Sequence, residues 1–254
     1  MACHYCVMGK EPRQEYLYLL LKERGEEVWN GENAVLENMD VILLPIPETA
    51  KYMELLWEKL QKNQTVFGCH FPAQMIKEAP SRGIRFIDYM KLEGIAYENA
   101  IATAEGAIAE AILMSPVNLQ GSYSLITGYG RCGEILASKC IALGSQVTVL
   151  ERKKQGRSKA KAYGCQAYSF DDSVVFEKYD FVFNTVPCPV IGRDIIEKLP
   201  RDVTIIDIAS KPGGVDFDSC LQMKRKVKHS LGIPGKYAPK TSALILLEAI
   251  DLNI

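Results

Sequence analysis

Leu125–Ile126–Thr127–Gly128–Tyr129–Gly130–Arg131–Cys132–Gly133 joins an apolar run to three glycines spaced G-x-G-x-x-G. The spacing alone is common. Here it follows a strand-like run from Ser124 and opens a helical stretch reaching Leu143, the context of a dinucleotide cradle. Gly128 permits the tight turn, Gly130 lets backbone approach a pyrophosphate, and Gly133 lets the helix lie close on the sheet. The helix N-terminus offers N–H groups and partial positive charge to the phosphates. The cradle is therefore read as Gly128, Tyr129, Gly130, Arg131, Cys132 and Gly133. Glu151, 18 residues past Gly133, ends the next strand where an acidic residue receives ribose hydroxyls. Glu151 favours NAD, whereas Arg152, Lys153 and Lys154, with Arg157 and Lys159 beyond, suit the 2′-phosphate of NADP. The cofactor is read as NADP or NAD, with the choice open.

Outward from the turn, strands alternate with helices, the pattern of a parallel sheet. Downstream, strands are expected over residues 146–150, 181–184 and 203–208, and helices over 131–143, 154–163 and around 195–199. Upstream, residues 3–8, 41–44 and 65–68 read as strands, and 12–24 and 52–60 as helices. Ala-rich residues 100–114 form a linking helix, and 240–252 a last, mostly apolar one. The expected fold is α/β: two Rossmann-like lobes with parallel sheets, linked by a long helix, the C-terminal helix packing back on the first lobe. Residues 1–99 with 240–254 would form a substrate-side lobe, and 100–239 the linking helix and NAD(P)-binding domain. A cleft between two such lobes is the default ligand site.

The 254 residues carry 30 basic and 31 acidic side chains, so no global field draws nucleic acid or an anionic membrane. Residues 1–10 lack a secretory pattern. The longest uncharged run, 111–130, holds Pro116 and three glycines and is no bilayer span. A cytoplasmic protein is expected. Among eight cysteines only Cys3–His4–Tyr5–Cys6 has ligand-like spacing. Cys69–His70 could join it, but no second CxxC completes a zinc set, so reduced thiols and no metal are expected.

Ligands of open α/β sheets lie beyond strand C-termini. Thr185, Val186 and Pro187 after one strand, and Asp207, Ala209 and Ser210 after the next, should border the nicotinamide end. Lys211 beside Gly213–Gly214 is a candidate carboxylate clamp, and Asp216 and Arg13 are weaker ones. The segment 232–241, with Pro234, reads as a loop across the cleft that could offer Lys240 and Thr241 to a substrate; Thr241 could equally cap the last helix. The histidines are His4, His70 and His229, and none lies in that loop. Alcohol–ketone chemistry therefore lacks its usual proton carrier.

These segments together resemble the A subunits of dipicolinate synthases. The resemblance rests on Ala104–Glu105–Gly106, the glycine turn, Asn184–Thr185–Val186–Pro187, the run from Asp207 through Lys211–Pro212–Gly213–Gly214 to Phe217, Gly232–Ile233–Pro234–Gly235 and Ala238–Pro239–Lys240–Thr241. Pro12–Arg13–Gln14 and Leu43–Leu44–Pro45 extend it more loosely into the first lobe. It implies a fold like that of D-2-hydroxyacid dehydrogenases, with NAD(P) bound. It implies oxidation of dihydrodipicolinate to the dipicolinate of sporulation, beside a flavoprotein-like second subunit. Lys211, Lys240 and Arg13 would then clamp a small dicarboxylate. The chain departs from the family pattern in its shorter first lobe, in Lys211 where an arginine is expected, and in Glu151 where a small neutral residue is. Two other readings stand beside this one: a nicotinamide sensor without turnover, and a dehydrogenase of another small cyclic imine or amino acid. The apolar linking helix could also serve a homodimer.

Overall fold

The computed structural model describes residues 3–31 and 34–254. They divide into two compact units, Met1–Asn99 with Pro234–Ile254, and Ala100–Ile233.

In the first unit the chain runs β1 (His4–Val7), α1 (Pro12–Glu23), β2 (Glu27–Asn30), β3 (Val41–Leu43), α2 (Thr49–Leu56), β4 (Thr65–Gly68), α3 (Ala73–Glu78) and β5 (Arg85–Asp88), then enters α4 (Glu93–Met114). The five strands are all parallel, in the order β2-β1-β3-β4-β5. β3 is buried at every position because both faces of such a sheet are covered. Helix α1 starts on Pro12, whose missing N–H costs nothing there, and stops before Gly25 at φ +81.

The second unit runs β6 (Tyr123–Thr127), α5 (Arg131–Ala142), β7 (Gln146–Leu150), α6 (Lys154–Ala162), β8 (Gln166–Tyr168), β9 (Phe181–Asn184), α7 (Arg193–Lys198), β10 (Thr204–Asp207), α8 (Phe217–Gln222) and β11 (Lys226–His229). Its sheet is parallel in the order β11-β10-β9-β6-β7-β8. From β6 the chain winds one way through β7 and β8, then returns to β9 on the other side. That reversal opens a crevice at the carboxyl end of β6, where the glycine turn lies.

The chain re-enters the first unit through α9 (Ile233–Tyr237) and α10 (Pro239–Asp251). α10 packs on α1, burying Leu246 and Ile250 with Leu17 and Leu21, at about 1.5–3 kcal/mol per fully buried side chain. Arg24 holds both carboxylate oxygens of Asp251, at 2.9 and 2.7 Å.

The α/β fold with two parallel sheets and a C-terminal helix on the first lobe is as the sequence suggests. Three local readings need correction. The linking helix begins at Glu93 rather than residue 100, because Glu93, Glu98 and Asn99 interrupt the alanine pattern without breaking the helix. The segment 232–241 is not a loop throughout: it contains α9. Thr241 is not the cap of the last helix, which starts on Pro239 with Ala238 as N-cap. No helix among the described residues is long and apolar enough to cross a membrane.

Candidate dinucleotide site

The three glycines of the turn do different work. Gly128, at φ +85, is pressed on by the β9 exit: a Cβ there would lie 2.6 Å from Thr185 Oγ1 and 2.8 Å from Val186 Cγ2. A Cβ on Gly133 would overlap the Gly128 carbonyl, so α5 can start this close to the turn only with glycine. Gly130 differs: a Cβ there would meet nothing within 4 Å. The chain's own packing therefore gives no reason for glycine at 130, whereas close approach of a diphosphate does. Gly130 is also the N-cap of α5 and supplies no side chain to the first-turn N–H groups.

Beside the turn lies a cavity of about 570 Å³. It brings together Tyr129, Gly130, Glu151, Arg152, Lys153 and Val186 from the expected set. Phe170 and Val190 add apolar wall, and Gln155, Gly156, Lys159 and Cys188 complete the lining. Of these six, the sequence singles out only Lys159, although a glycine in the first turn after a basic run is a visible signal. A Cβ on Gly156 would come within 2.6 Å of Glu151 Cγ, so glycine there makes room for the glutamate. Burial pushes the Tyr129 phenol up to about 12, so it is neutral at ordinary pH.

Glu151 has partners of its own. Oε2 accepts from Tyr129 N at 2.9 Å and Oε1 from Lys153 N at 2.7 Å, tying the β7 exit to the glycine turn. Of the basic run, Arg157 reaches back to the Glu151 and Arg152 carbonyls at 2.8 and 2.6 Å. Lys159 pairs with Glu134 at 2.6 Å. Arg157 thus clasps this loop through Nη1, while Arg152 and Lys153 stay exposed on the cavity.

Two of the expected cofactor contacts lie inside the loop. Asp207 is wholly buried, and both its oxygens are engaged: Oδ1 accepts from Asn184 Nδ2 at 2.8 Å and Ala209 N at 3.0 Å, and Oδ2 from Gly214 N at 2.8 Å. Ala209 is also buried, its carbonyl taken by His229 Nε2 at 2.8 Å. A carbonyl only accepts, so that imidazole nitrogen carries the proton. Asp207 and Ala209 thus shape the loop from within.

The other expected residues are spread more widely. Thr185 Oγ1 donates to Thr127 O at 2.9 Å, and Pro187 is exposed just beyond. Arg131 is exposed and Cys132 half-buried on the first turn of α5. Ser210 and Lys211 are exposed after β10, Lys211 preceding a cis peptide to Pro212. Asp216 is the N-cap of α8, its carboxyl held low by hydrogen bonds from the Ser219 hydroxyl and N–H. In the first unit, Pro234 is half-buried in α9 and Lys240 exposed in the first turn of α10. Arg13 is buried against Glu11, whose Oε1 takes both Nε and Nη2, at 3.0 and 2.6 Å. That pairing leaves Arg13 less free to clamp a ligand than its position in the sequence suggests.

Residues 123–211 match the protein-family profile described as NADP oxidoreductase, coenzyme F420-dependent. The A subunit of dipicolinate synthase from Bacillus subtilis (strain 168) is 29% identical over 168 residues, which are 66% of this chain and 57% of that protein. The match thus spans little more than half of the relative's length. The crystal structure of the dipicolinate synthase A subunit from Bacillus halodurans superposes with a TM-score of 0.88 at 24% identity, covering 98% of this chain and 97% of that one. D-lactate dehydrogenase from Escherichia coli superposes at 0.70 with 12% identity, covering 98% and 96%. The chain therefore resembles the A subunit of dipicolinate synthase in sequence and in fold, and its second unit is of the Rossmann type found in nicotinamide-dependent oxidoreductases.

Proposed function

We propose that the chain is an NAD(P)-dependent oxidoreductase that converts dihydrodipicolinate to dipicolinate. The observation that carries the reading is Gly130, a glycine open to solvent at the start of α5 and at the rim of a cavity large enough for part of a dinucleotide. In this reading the backbone of residues 128–133 holds the diphosphate, and Glu151, Arg152 and Lys153 meet the adenosine ribose. Phe170, Val186 and Val190 offer the base an apolar wall. The bound nicotinamide supplies the hydride acceptor. Thr185, Pro187 and Ser210 border its ring, and Lys211, Lys240 and Arg13 are the cations proposed for the substrate's carboxylates. The similarity to one component of a synthase supports a partner, a second and flavoprotein-like subunit.

The test combines the protein, that second subunit, dihydrodipicolinate and either oxidised nicotinamide. Appearance of dipicolinate's ultraviolet absorption is expected. No product with either cofactor, in a protein that still binds one, would remove the substrate and leave a nicotinamide-binding module.

A further inference from the structure

The first unit contains a donor cluster away from the dinucleotide cavity. β4 and β5 pair in parallel with Gly68 opposite Asp88, so the residues just after β4 fall beside the last residue of β5. There the Cys69 sulfur, a His70 ring nitrogen and an Asp88 carboxylate oxygen all lie within 4.8 Å of one another. Bound to one tetrahedral ion, S, N and O donors at about 2.0–2.3 Å from the metal would be roughly 3.3–3.8 Å apart. Small side-chain rotations close that gap.

The cluster is held from outside. Cys69 N donates to Thr49 Oγ1 at 3.0 Å, and that hydroxyl donates to Pro45 O at 2.8 Å. On the other side of His70, Phe71 stacks on Phe86 with centroids 4.5 Å apart and planes 7° from parallel. Asp88 is oriented by N–H donors from His70 at 3.1 Å and Met90 at 3.0 Å, one on each oxygen, and its carboxylate also hydrogen-bonds the Cys69 thiol, whose proton a bound metal would displace. His70 is the exposed member of the three. Donors whose backbone is fixed by neighbours lose little entropy on binding.

We propose that Cys69, His70 and Asp88 bind one divalent ion of the zinc class. Magnesium and calcium prefer all-oxygen shells, while a sulfur, nitrogen and oxygen set suits zinc or its close analogues. Three protein ligands leave a fourth position for water or a ligand oxygen, as at open zinc sites. From the sequence no metal is expected, because no second CxxC completes a set with Cys3 and Cys6; the structure instead brings Asp88, from the next strand, beside Cys69–His70. The proposal is independent of the dinucleotide site.

The experiment titrates the reduced, full-length protein with cobalt(II) and follows the sulfur-to-cobalt charge-transfer band, then displaces cobalt with zinc. One equivalent should saturate the band. Cys69→Ser should abolish it. His70→Ala at the exposed ligand and Asp88→Asn should weaken binding at least about tenfold, while the double variant Cys3→Ser/Cys6→Ser should leave it unchanged. Cys69 is buried and its variant could misfold, so His70→Ala with an unchanged melting curve is the decisive arm. A band that never forms, that survives Cys69→Ser, or that ignores His70→Ala overturns the proposal.

Discussion

Asn184 Nδ2 donates to Asp207 Oδ1 at 2.8 Å, and both side chains are wholly buried at the carboxyl ends of β9 and β10. Asn184 Oδ1 in turn accepts from Thr127 Oγ1 at 2.6 Å and Val186 N at 3.1 Å. One polar chain therefore links the exits of β6, β9 and β10, fixing the loops that carry Thr185, Val186 and Lys211. The buried aspartate is tolerated here because three N–H groups surround it.

Asp207→Ala should therefore destabilise the protein by about 2–4 kcal/mol, since it strands several buried donors at once. Denaturant unfolding reads the loss. Asn184→Ala should also destabilise, and the double variant should lose less than the sum of the two, the mark of residues that share one network. Additive losses would mean the two act separately.

The glycines give a sharper contrast. Gly133→Ala should lower stability, because its methyl would overlap the Gly128 carbonyl and α5 would have to move. Gly130 has extended backbone, φ −84 and ψ −167, and open space around it, so Gly130→Ala should change stability by no more than about 0.5 kcal/mol. It should nonetheless weaken NADH and NADPH at least about tenfold by holding the diphosphate off the backbone. Melting curves and cofactor titrations separate the two effects. Unchanged affinity in Gly130→Ala would mean that no phosphate sits at this turn.

What the sequence disclosed follows from where signal is strong. The central strands β3, β6 and β9 are apolar runs because both faces are covered, and the glycine turn announces itself through its spacing. The strands hardest to read are the sheet edges. β2, β5 and β8 each bury only one residue of three or four and carry no apolar run. The candidate cavity was legible where backbone makes it and less so where side chains do. Asp207 looked like a ligand contact because it ends a strand, yet nothing in its local sequence announces that Asn184, Ala209 and Gly214 consume its oxygens. Asp88 was invisible as a partner of His70 because only the β4–β5 register brings them together.

On the proposed reading, cofactor choice turns on Glu151. Its carboxylate lines the cavity with Arg152 and Lys153 while holding Tyr129 N and Lys153 N. Glu151→Gln keeps the size of the side chain, gives up one of its two backbone hydrogen bonds and removes the negative charge that would oppose a 2′-phosphate. The affinity ratio should move toward NADPH by at least about tenfold, like charges in contact being costly. Arg152→Ala with Lys153→Ala should weaken NADPH more than NADH. Paired titrations of the two cofactors measure both shifts. Equal weakening of both would place the 2′-position away from this rim.

The cysteines provide a readout of folding and of the cavity together. Burial pushes the Cys6, Cys69 and Cys140 thiols from 9.0 to about 12, and Cys165 and Cys220 to about 11. Above pH 9 the unfolded chain releases these protons while the folded chain keeps them. Stability is therefore undiminished below pH 9 and falls as pH rises toward 11 and 12. Cys140→Ala should flatten that fall, measured as unfolding free energy against pH. Cys188 is exposed and lines the cavity beside the glycine turn. At pH 8 an aromatic disulfide reagent should label Cys188 first and leave the five buried thiols unlabelled. Saturating NADPH or NADH should slow labelling of Cys188 in the wild type and not in Gly130→Ala. Protection that persists in that variant would show a cofactor held at the cavity without the glycine turn.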